Sequence, residues 1–546
     1  MKVCVSQLNP VIGDLDGNTQ KIIDEIEKAK AMNAELVVFP ELSVCGYLPE
    51  DLLLHRSFIE AIEQHLETIT RATKGIMALV GVARKNVFQG EKPLLNSAAV
   101  IYDGHLVGFQ DKWLLPNYDV FQERRYFEPG HHTRVWELNG KRIAVVICED
   151  MWQHAGYVGY TEYARDPILE LVAYKPDILI NLSASPYQMQ KIDVRVSVCA
   201  KAAKTLDCPV IYCCQVGGND QLIFDGYSLH VNKAGELMHV GKGFEEDLFL
   251  CDTDEKKEAI EFSLGAMEEL FNALALGVKD YFRKQGFQKT CLGLSGGLDS
   301  AVVACIVAKA LGPENVLGVS MPSRFTSQES MSDAQKLAEN LGIEFIEMSI
   351  EENYEAFLKT LSPEFKGKEP DVTEENLQAR IRGTMLMALS NKLGHVVVST
   401  GNKSETALGY CTLYGDMCGG LGVIGDVTKT RAFELARWIN KHAGKEIIPQ
   451  FTIDRPPSAE LREGQIDLDS LPDYKIVDDV LEGYVENYMT PGEISEKYNI
   501  SQELVINLIQ KIHRAEYKRR QGPPVFRVSK KSFGIGRRYP IVQGWR

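Results

Sequence analysis

Short apolar, β-branched runs alternate with amphipathic stretches along almost the whole chain of 546 residues. In the first half the predicted strands are residues 3–5, 36–39, 77–82, 98–102, 143–147, 178–181 and 210–213, and the predicted helices are residues 18–33, 162–174 and 190–205. Turn residues at 102–105 and 232–235 predict two hairpins. This alternation of elements restricts the first half to a layered α/β domain.

The second half repeats the alternation. Its predicted strands are residues 290–294, 316–321, 345–348 and 395–399. Its predicted helices are a long one from Met267, residues 300–311, residues 331–341 and the stretch 476–520. A regular alternation of this kind predicts a doubly wound parallel sheet. Residues 455–475 contain proline and glycine and predict a functional loop.

The domain boundary is predicted from a polar, charged stretch at residues 252–262. We therefore predict a domain at 1–252, a linker at 253–275 and a second domain at 276–546.

Composition excludes several classes of protein. The chain is 45% hydrophobic and 25% charged, which is typical of globular proteins. Its net charge of −15 argues against nucleic acid or an anionic membrane as a partner. No apolar run approaches the roughly 20 residues that span a bilayer, and the first residues do not resemble a signal peptide. We expect a cytoplasmic chain with reduced thiols.

Residues 292–300 read Leu-Gly-Leu-Ser-Gly-Gly-Leu-Asp-Ser, between a predicted strand and a predicted helix. Glycines there let backbone N–H groups face an anion, and the helix N-terminus adds positive potential. A phosphate would repel Asp299 unless a divalent cation lay between them, which predicts Mg²⁺. An exposed turn capped by Ser or Asp is the simpler alternative.

This segment lacks the Lys-Ser/Thr ending of a P-loop. It resembles the SGGxDS loop of the N-type ATP pyrophosphatases, which adenylate their substrates. The resemblance implies an adenine-nucleotide hydrolase type of sheet with ATP as co-substrate. The implied ATP contacts are Gly293, Leu294, Ser295, Gly296, Gly297, Leu298, Asp299 and Ser300.

Residues 398–405, Val-Ser-Thr-Gly-Asn-Lys-Ser-Glu, follow another predicted strand and resemble the (S/G)TGNK(S/T)E segment of NAD⁺ synthetases. The resemblance implies that Thr400 contacts ATP and that Glu405 joins Asp299 near Mg²⁺ and near deamido-NAD⁺. It further implies that Asn376 and Lys518 contact deamido-NAD⁺. A helix with charged faces is the simpler interpretation of residues 375–382, which contain Asn376.

Three segments of the first half each place a reactive residue at or after a strand end: Glu41 in Phe-Pro-Glu-Leu, Lys112 in Asp-Lys-Trp, and Cys148 in Ile-Cys-Glu-Asp. A thiol attacks an amide when a base takes its proton, and a lysine can stabilise the oxyanion. Singly, these residues could be a loop carboxylate, a surface charge and a core thiol. Together they resemble the Glu-Lys-Cys triad of the nitrilase superfamily.

That resemblance implies an α–β–β–α sandwich and a supporting glutamate at Glu123. The glutaminase branch of the superfamily implies that Tyr118, Ser185 and Lys191 contact glutamine. For Lys191 the simpler alternative is an exposed helix residue.

The combined motifs resemble the glutamine-dependent NAD⁺ synthetase family over nearly the whole chain. The resemblance implies glutamine hydrolysis in the first half and amidation of ATP-activated deamido-NAD⁺ in the second. It also implies a sheltered passage for ammonia and a homo-oligomer, at least a dimer. Three alternatives stay open: another amidotransferase with an ATP pyrophosphatase domain, a tRNA-modifying ATP pyrophosphatase, and a scaffold without catalysis.

The charge is uneven, because residues 511–546 hold eleven Lys or Arg against one acid, Glu516. A solvated tail is one interpretation. The other is that this positive charge serves small anions such as ATP and a dinucleotide, or a neighbouring subunit.

Overall fold

The structure is a computed structural model, and it describes residues 1–157, 161–255, 257–469 and 471–545. It divides into two compact units, residues 1–264 and 265–546. The division falls inside the predicted linker of 253–275, of which Lys256 lies outside the described residues. The exact linker bounds stay a prediction.

The described part of the first unit contains two six-stranded sheets and a two-stranded ribbon. The strands are β1 (Lys2–Gln7), β2 (Leu36–Val38), β3 (Met77–Lys85), β4 (Leu94–Tyr102), β5 (His105–Asp111), β6 (Val135–Leu138), β7 (Lys141–Ile147), β8 (Ile178–Ser183), β9 (Val210–Cys214), β10 (Val216–Asn219), β11 (Leu222–Asp225), β12 (Leu229–Val231), β13 (Leu237–Val240) and β14 (Asp247–Asp252). One sheet has the order β14-β1-β2-β3-β4-β5 and the other β13-β12-β9-β8-β7-β6. Both predicted hairpins are confirmed, as β4–β5 and β12–β13.

The two sheets pack face to face, and helices cover their outer faces. The helices are α1 (Leu15–Ala31), α2 (Arg56–Ala72), α3 (Pro167–Leu171) and α4 (Lys191–Leu206). Side chains alternate along each strand, so Val3 and Val5 of β1 lie in the core between the sheets while Cys4 packs in the core that contains α1 and α2. A third core joins β7, β8 and β9 to α4. This arrangement is the predicted α–β–β–α sandwich.

The prediction of one helix over residues 162–174 was wrong. Only α3 is α-helical there, followed by a 3-10 turn at Val172–Tyr174. Asp166 accepts hydrogen bonds from the N–H groups of Ile168 and Leu169, and Pro167 occupies the first helical turn. This cap starts the helix at Pro167, because proline favours a first turn.

The second unit is built on a parallel sheet. Its strands are β15 (Thr290–Gly293), β16 (Val316–Ser320), β17 (Glu344–Glu347), β18 (Val396–Ser399) and β19 (Leu421–Gly422), in the order β17-β16-β15-β18-β19. Every pairing in this sheet is parallel. The order reverses direction at β15, so the loops after β15 and β18 lie on either side of a switch point, where open α/β sheets bind ligands. The predicted doubly wound sheet is confirmed.

Helices make up most of the rest of the second unit: α5 (Ala266–Gln285), α6 (Leu298–Leu311), α7 (Gln328–Leu341), α8 (Glu351–Phe365), α9 (Val372–Leu393), α10 (Lys403–Leu408), α11 (Lys429–Ala443), α12 (Gln450–Asp454), α13 (Tyr474–Val480), α14 (Pro491–Tyr498), α15 (Gln502–Arg514) and α16 (Glu516–Arg519). The described part of the predicted loop at 455–475, which omits Ser470, is irregular apart from a 3-10 turn at Asp467–Asp469 and the start of α13. Among the described helices, none combines the length and apolarity needed to cross a membrane. All twelve cysteines are free thiols.

Candidate functional site

Three of the predicted catalytic residues of the first unit form one buried cluster. The Nζ of Lys112 lies 2.7 Å from Oε1 of Glu41 and 2.7 Å from Oε1 of Glu123. Each of the three side chains is at most 1% exposed. Tyr47 adds a hydrogen bond of 2.8 Å from its hydroxyl to Glu123. The fold therefore joins side chains that lie 71 and 11 residues apart in the sequence.

Cys148 stands on a strained turn at the end of β7. Its φ is +43°, a left-handed conformation that is uncommon for a residue with a side chain and that clusters at functional sites. The adjacent Asp150 caps this turn by accepting from the N–H of Ile147 at 2.9 Å. Asp150 also accepts from the N–H groups of Trp113 and Leu114, at 3.0 and 2.8 Å. One buried carboxylate thus ties the Cys148 turn to the segment that follows Lys112.

Burial determines the charge states of this cluster. Burial and the nearby Glu41 carboxylate raise the pKa of the Cys148 thiol, and Lys112 only partly opposes them. Burial alone would lower the pKa of Lys112, but Glu123 and Glu41 more than offset it and hold that pKa well above its usual value. The resting site therefore has a neutral thiol and a charged ammonium, and the thiol needs a base before it can attack.

Beside the cysteine, two tyrosines converge on the carboxylate of Glu149. The hydroxyl of Tyr118 lies 2.9 and 3.0 Å from the two carboxylate oxygens, and the hydroxyl of Tyr163 lies 3.2 Å from one of them. Burial raises the pKa of Glu149. Sequence reasoning chose Tyr118 but missed Glu149 and Tyr163, although the position of Glu149 next to Cys148 was an available signal.

Ser185 lies on the segment between β8 and α4, and Lys191 is the first residue of α4. Ser185 is buried, and its backbone carbonyl accepts from Nη2 of Arg195 at 3.0 Å. Lys191 donates to the carbonyl of Pro186 at 2.8 Å, and its Nζ lies 5.2 Å from the centroid of the Trp152 ring. Lys191 is thus folded against its own segment and is partly buried.

In the second unit, the loop between β15 and α6 is compact. Gly296 has φ +73°, and a Cβ there would lie 2.2 Å from the backbone oxygen of Ser330. The Oγ atoms of Ser295 and Ser300 lie 3.3 Å apart, and Ser300 donates to the carbonyl of Gly297 at 3.0 Å. The loop brings hydroxyl groups and backbone N–H groups together at the N-terminus of α6, which suits an anion.

A cavity of about 320 Å³ opens beside this loop. Most of the predicted ATP contacts line it, namely Gly293, Leu294, Ser295, Gly297, Leu298, Asp299, Ser300 and Thr400, and so does Glu405. Gly296, Asn376 and Lys518 do not line the described wall. The two predicted nucleotide segments, 292–300 and 398–405, therefore face one space.

Asp299 and Glu405 share one cation, Lys429. The Nζ of Lys429 lies 2.5 Å from Oδ2 of Asp299 and 3.2 Å from Oε1 of Glu405. Burial raises the pKa of Glu405 to about 7, although Lys429 opposes this shift. Oδ1 of Asp299 is buried without a hydrogen-bond partner among the described residues.

These donors fit a divalent cation. Carboxylate oxygens are the ligands that Mg²⁺ prefers, and a positive group already lies between the two carboxylates. The described residues hold no cluster of three or more Asp, Glu, His or Cys that could bind a metal alone. A Mg²⁺ ion held here would therefore also need water or phosphate oxygens, as is usual for this ion.

The loop predicted at 455–475 reaches this site. Asp467, which is 4% exposed, accepts a hydrogen bond of 2.8 Å from the hydroxyl of Tyr474. The same hydroxyl lies 3.3 Å from Oε1 of Glu405. Arg455, at the start of the loop, donates to the carbonyl of Gly296 at 2.6 Å. The loop is thus bonded to both nucleotide segments.

Asn376 and Lys518 lie one layer behind the cavity wall. Oδ1 of Asn376 accepts from the hydroxyl of Thr412, a lining residue, at 2.7 Å. Lys518 donates to the carbonyls of Gly409 and Cys411 at 2.8 and 2.7 Å. Those carbonyls flank Tyr410, which lines the cavity.

Three cations that line the cavity were not among the predicted contacts, namely Lys429, Arg382 and Arg455. Lys429 follows no strand-end motif. Arg382 lies in a segment that the resemblance did single out, so a signal for it was present. Arg382 donates from Nε to the carbonyl of Met321 at 2.9 Å, and burial lowers the pKa of its guanidinium to about 10.

Comparisons with known proteins agree with this division into two sites. Residues 2–258 match the family described as carbon-nitrogen hydrolase, and residues 270–522 match the family described as NAD synthase. The glutamine-dependent NAD(+) synthetase of Synechocystis sp. is 43% identical and aligns with 100% of this chain and 99% of its own. That of Thermotoga maritima is 41% identical with the same coverage.

Solved structures give the same result. Glutamine-dependent NAD⁺ synthetase from Acinetobacter baumannii, solved in complex with ADP, superposes with a TM-score of 0.76 at 39% identity and covers 100% of this chain and 99% of its own. Full-length similarity of this degree establishes the family, because both units match together. The chain belongs to the glutamine-dependent NAD⁺ synthetase family.

Proposed function

We propose that this chain is a glutamine-hydrolysing NAD⁺ synthetase, a carbon-nitrogen ligase that uses glutamine, ATP and deamido-NAD⁺. The observation that supports the proposal is that each unit of the chain holds its own cluster of charged residues. One is the buried cluster of Glu41, Lys112 and Glu123 with the Cys148 turn, and the other is the cavity with Asp299 and Glu405. Cytoplasmic location stays a prediction from the sequence, and assembly into at least a dimer stays a prediction from the family resemblance.

In the first unit, Glu41 is the base for the Cys148 thiol. When Glu41 takes the thiol proton, the sulfur attacks the side-chain amide carbon of glutamine and a tetrahedral oxyanion forms. The charged Lys112 stabilises that oxyanion. Glu41 returns the proton to the leaving nitrogen, so that ammonia departs and a γ-glutamyl thioester remains. Water then cleaves the thioester to glutamate and restores the thiol.

Selection of glutamine needs partners for an α-ammonium and an α-carboxylate. The buried Glu149 carboxylate, with Tyr118 and Tyr163 bonded to it, suits the ammonium. Ser185 and Lys191 suit the carboxylate, if Lys191 releases its bond to Pro186. A carboxylate already held by two hydroxyls needs little reorganisation when an ammonium arrives.

In the second unit, the loop of residues 295–300 and Thr400 bind the phosphates of ATP, and Asn376, Glu405 and Lys518 contribute to the deamido-NAD⁺ subsite. Asp299 and Glu405 would hold Mg²⁺, which when bound neutralises phosphate charge. The nicotinate carboxylate of deamido-NAD⁺ attacks the α-phosphorus of ATP, and pyrophosphate leaves. Ammonia then attacks the activated carbon and AMP leaves, giving NAD⁺.

The test separates the two half-reactions. Cys148→Ala should lose glutamine-dependent synthesis of NAD⁺ and keep synthesis from added ammonia, whereas Asp299→Ala should lose both. The assay measures NAD⁺, AMP and glutamate with deamido-NAD⁺, ATP and Mg²⁺ present. Full glutamine-dependent synthesis by Cys148→Ala would refute the assignment of the first site.

A further inference from the structure

Asn96, on β4, contacts Glu41, Glu123 and Lys112, which form the buried charged cluster of the first unit. Its Nδ2 lies 2.7 Å from Oε1 of Glu41 and 3.4 Å from Oε2 of Glu123. Its backbone carbonyl accepts from the N–H of Lys112 at 2.8 Å. Asn96 is only 1% exposed. Asn96 is therefore fixed in the centre of the cluster, although nothing in the sequence motifs marked it.

The cluster has a charge imbalance that Asn96 is suited to relieve. Two buried carboxylates, Glu41 and Glu123, share the single ammonium of Lys112. Like charges in a buried site favour proton uptake by one of them. Burial, opposed by Lys112, raises the pKa of Glu123, and the neighbouring Glu41 adds to that rise. A neutral amide supplies N–H donors to both carboxylates without adding charge.

The orientation of the amide follows from its neighbours. Oδ1 of Asn96 has no hydrogen-bond partner among the described residues, while Nδ2 faces carboxylate oxygens. A flipped amide would direct oxygen against oxygen, so the donor side must face the carboxylates. Burying Oδ1 without a hydrogen-bond partner costs folding free energy, and the two contacts of Nδ2 with carboxylate oxygens compensate for that cost.

We propose that Asn96 is a positioning residue for glutamine hydrolysis, which holds the carboxyl group of Glu41 in the orientation in which it can take the Cys148 proton. The inference rests on the proposed glutaminase function. Three groups donate hydrogen bonds to the carboxylate of Glu41: Lys112 after β5, Asn96 on β4, and the backbone N–H of Ala184 after β8 at 3.1 Å. The other groups that face it are Glu123, Cys148 after β7 and, through Glu123, Tyr47. Among these side chains, Asn96 supplies the neutral donor to Glu41.

The test compares Asn96→Leu, which keeps the side-chain volume and removes the donors, with Asn96→Asp, which keeps the shape and adds a carboxylate. Asn18→Leu is the matched control, because Asn18 is equally buried but donates only to the backbone carbonyls of Val11 and Val44. The readouts are kcat and KM for glutamate release over a pH series, and NAD⁺ synthesis from added ammonia as a check of the folded chain.

Asn96→Leu should lower kcat for glutamate release by about 10- to 100-fold with KM changed by no more than about twofold. The acid limb of its kcat/KM profile should move to higher pH, because the pair of carboxyl groups has lost the amide that donates to both. Asn96→Asp should move that limb further. Both variants should keep ammonia-dependent synthesis, and Asn18→Leu should leave the acid limb in place.

If both Asn96 variants kept the wild-type kcat and an unmoved acid limb, the inference would be overturned and the proposed function would stand. An equal shift in Asn18→Leu would also overturn it, because the effect would then be structural. Absence of glutamate release by the unsubstituted chain would instead overturn the proposed function, and the inference with it.

Discussion

The ammonium of Lys429 lies 2.5 Å from Oδ2 of Asp299 in the wall of the cavity beside residues 292–300. Asp299 is in the first turn of α6, where its negative charge opposes any phosphate that approaches the loop. Lys429, the first residue of α11, is 4% exposed and cannot exchange this contact for bulk water. The ammonium therefore neutralises the Asp299 carboxylate, so that the pair as a whole does not repel a polyphosphate at the loop.

Replacement of that charge should disable the second site. Lys429→Met should reduce NAD⁺ synthesis from added ammonia by about 100-fold or more, because Asp299 and Glu405 lose their shared cation and phosphate loses a charged donor. The measurement is NAD⁺ and AMP formation with ammonia as the nitrogen source. Lys441→Met, at an exposed position on the same helix, is the matched control. Equal activity of both variants would refute the role of Lys429.

Gly296 should tolerate no side chain. In Gly296→Ala the new Cβ would lie 2.2 Å from the backbone oxygen of Ser330 at φ +73°, so the loop of residues 295–300 must shift. ATP-dependent synthesis should fall by about 100-fold or more, because a displacement of about 1 Å at a reacting group has that effect. Initial rates with saturating ammonia would measure the loss.

The control for this variant separates strain from collision. Gly342→Ala has a similar φ of +70° but no atom within 4 Å of the new Cβ. It should cost about 1–2 kcal/mol in unfolding free energy and leave synthesis unchanged. If both variants lost activity equally, the close approach to Ser330 would not explain the effect at Gly296.

The sequence could predict whatever depends on one strand and the residues after it. Residues 295–300, Thr400 and Cys148 could be predicted as site residues because each follows an apolar strand with a local turn signal. The layered fold was predictable for the same reason, since alternation of side chains is a local property.

Residues brought to a site by packing carry no such signal. Asn96 lies within a β-strand and Lys429 begins a helix that reads as ordinary amphipathic sequence. Asn96 contacts Glu41, 55 positions away, and Lys429 contacts Asp299, 130 positions away. Such contacts form only when the chain folds, so no local pattern predicts them. The helix predicted over 162–174 failed for a related reason, because the Asp166 cap outweighed a weak periodicity.

The buried ion pair of Arg195 and Asp225 should support the proposed glutamine site. The guanidinium lies 2.7 and 2.9 Å from the two oxygens of Asp225, and it also holds the carbonyl of Ser185. Asp225→Asn should lower the unfolding free energy of the first unit by about 3–5 kcal/mol, because it leaves a buried charge without its partner. It should also raise KM for glutamine through the Ser185 segment.

A double substitution checks the cause. Arg195→Met with Asp225→Leu removes both charges, and its stability should exceed that of Asp225→Asn by urea unfolding. KM for glutamine should stay raised in the double variant, because the bond to Ser185 is still missing. A double variant less stable than the single one would show that packing, not charge, dominates at this pair.

His230 should make the first unit sensitive to acid. Burial lowers the pKa of His230 to about 4, and the residue is 8% exposed. His239 and Lys257 add to this lowering by smaller amounts, and Asp252 opposes it. An unfolded histidine titrates near 6.5, so the unfolded chain binds more protons than the folded chain between about pH 6.5 and 4. Stability is therefore fully present above this window and falls as the pH falls through it, by at most about 1.4 kcal/mol per pH unit for this residue.

His230→Gln should flatten this dependence of stability on pH, measured by urea unfolding followed by tryptophan fluorescence, whatever the stability of the variant at pH 7.5. Parallel slopes for the variant and the unsubstituted chain between pH 6.5 and 4 would show that His230 does not titrate as its burial requires.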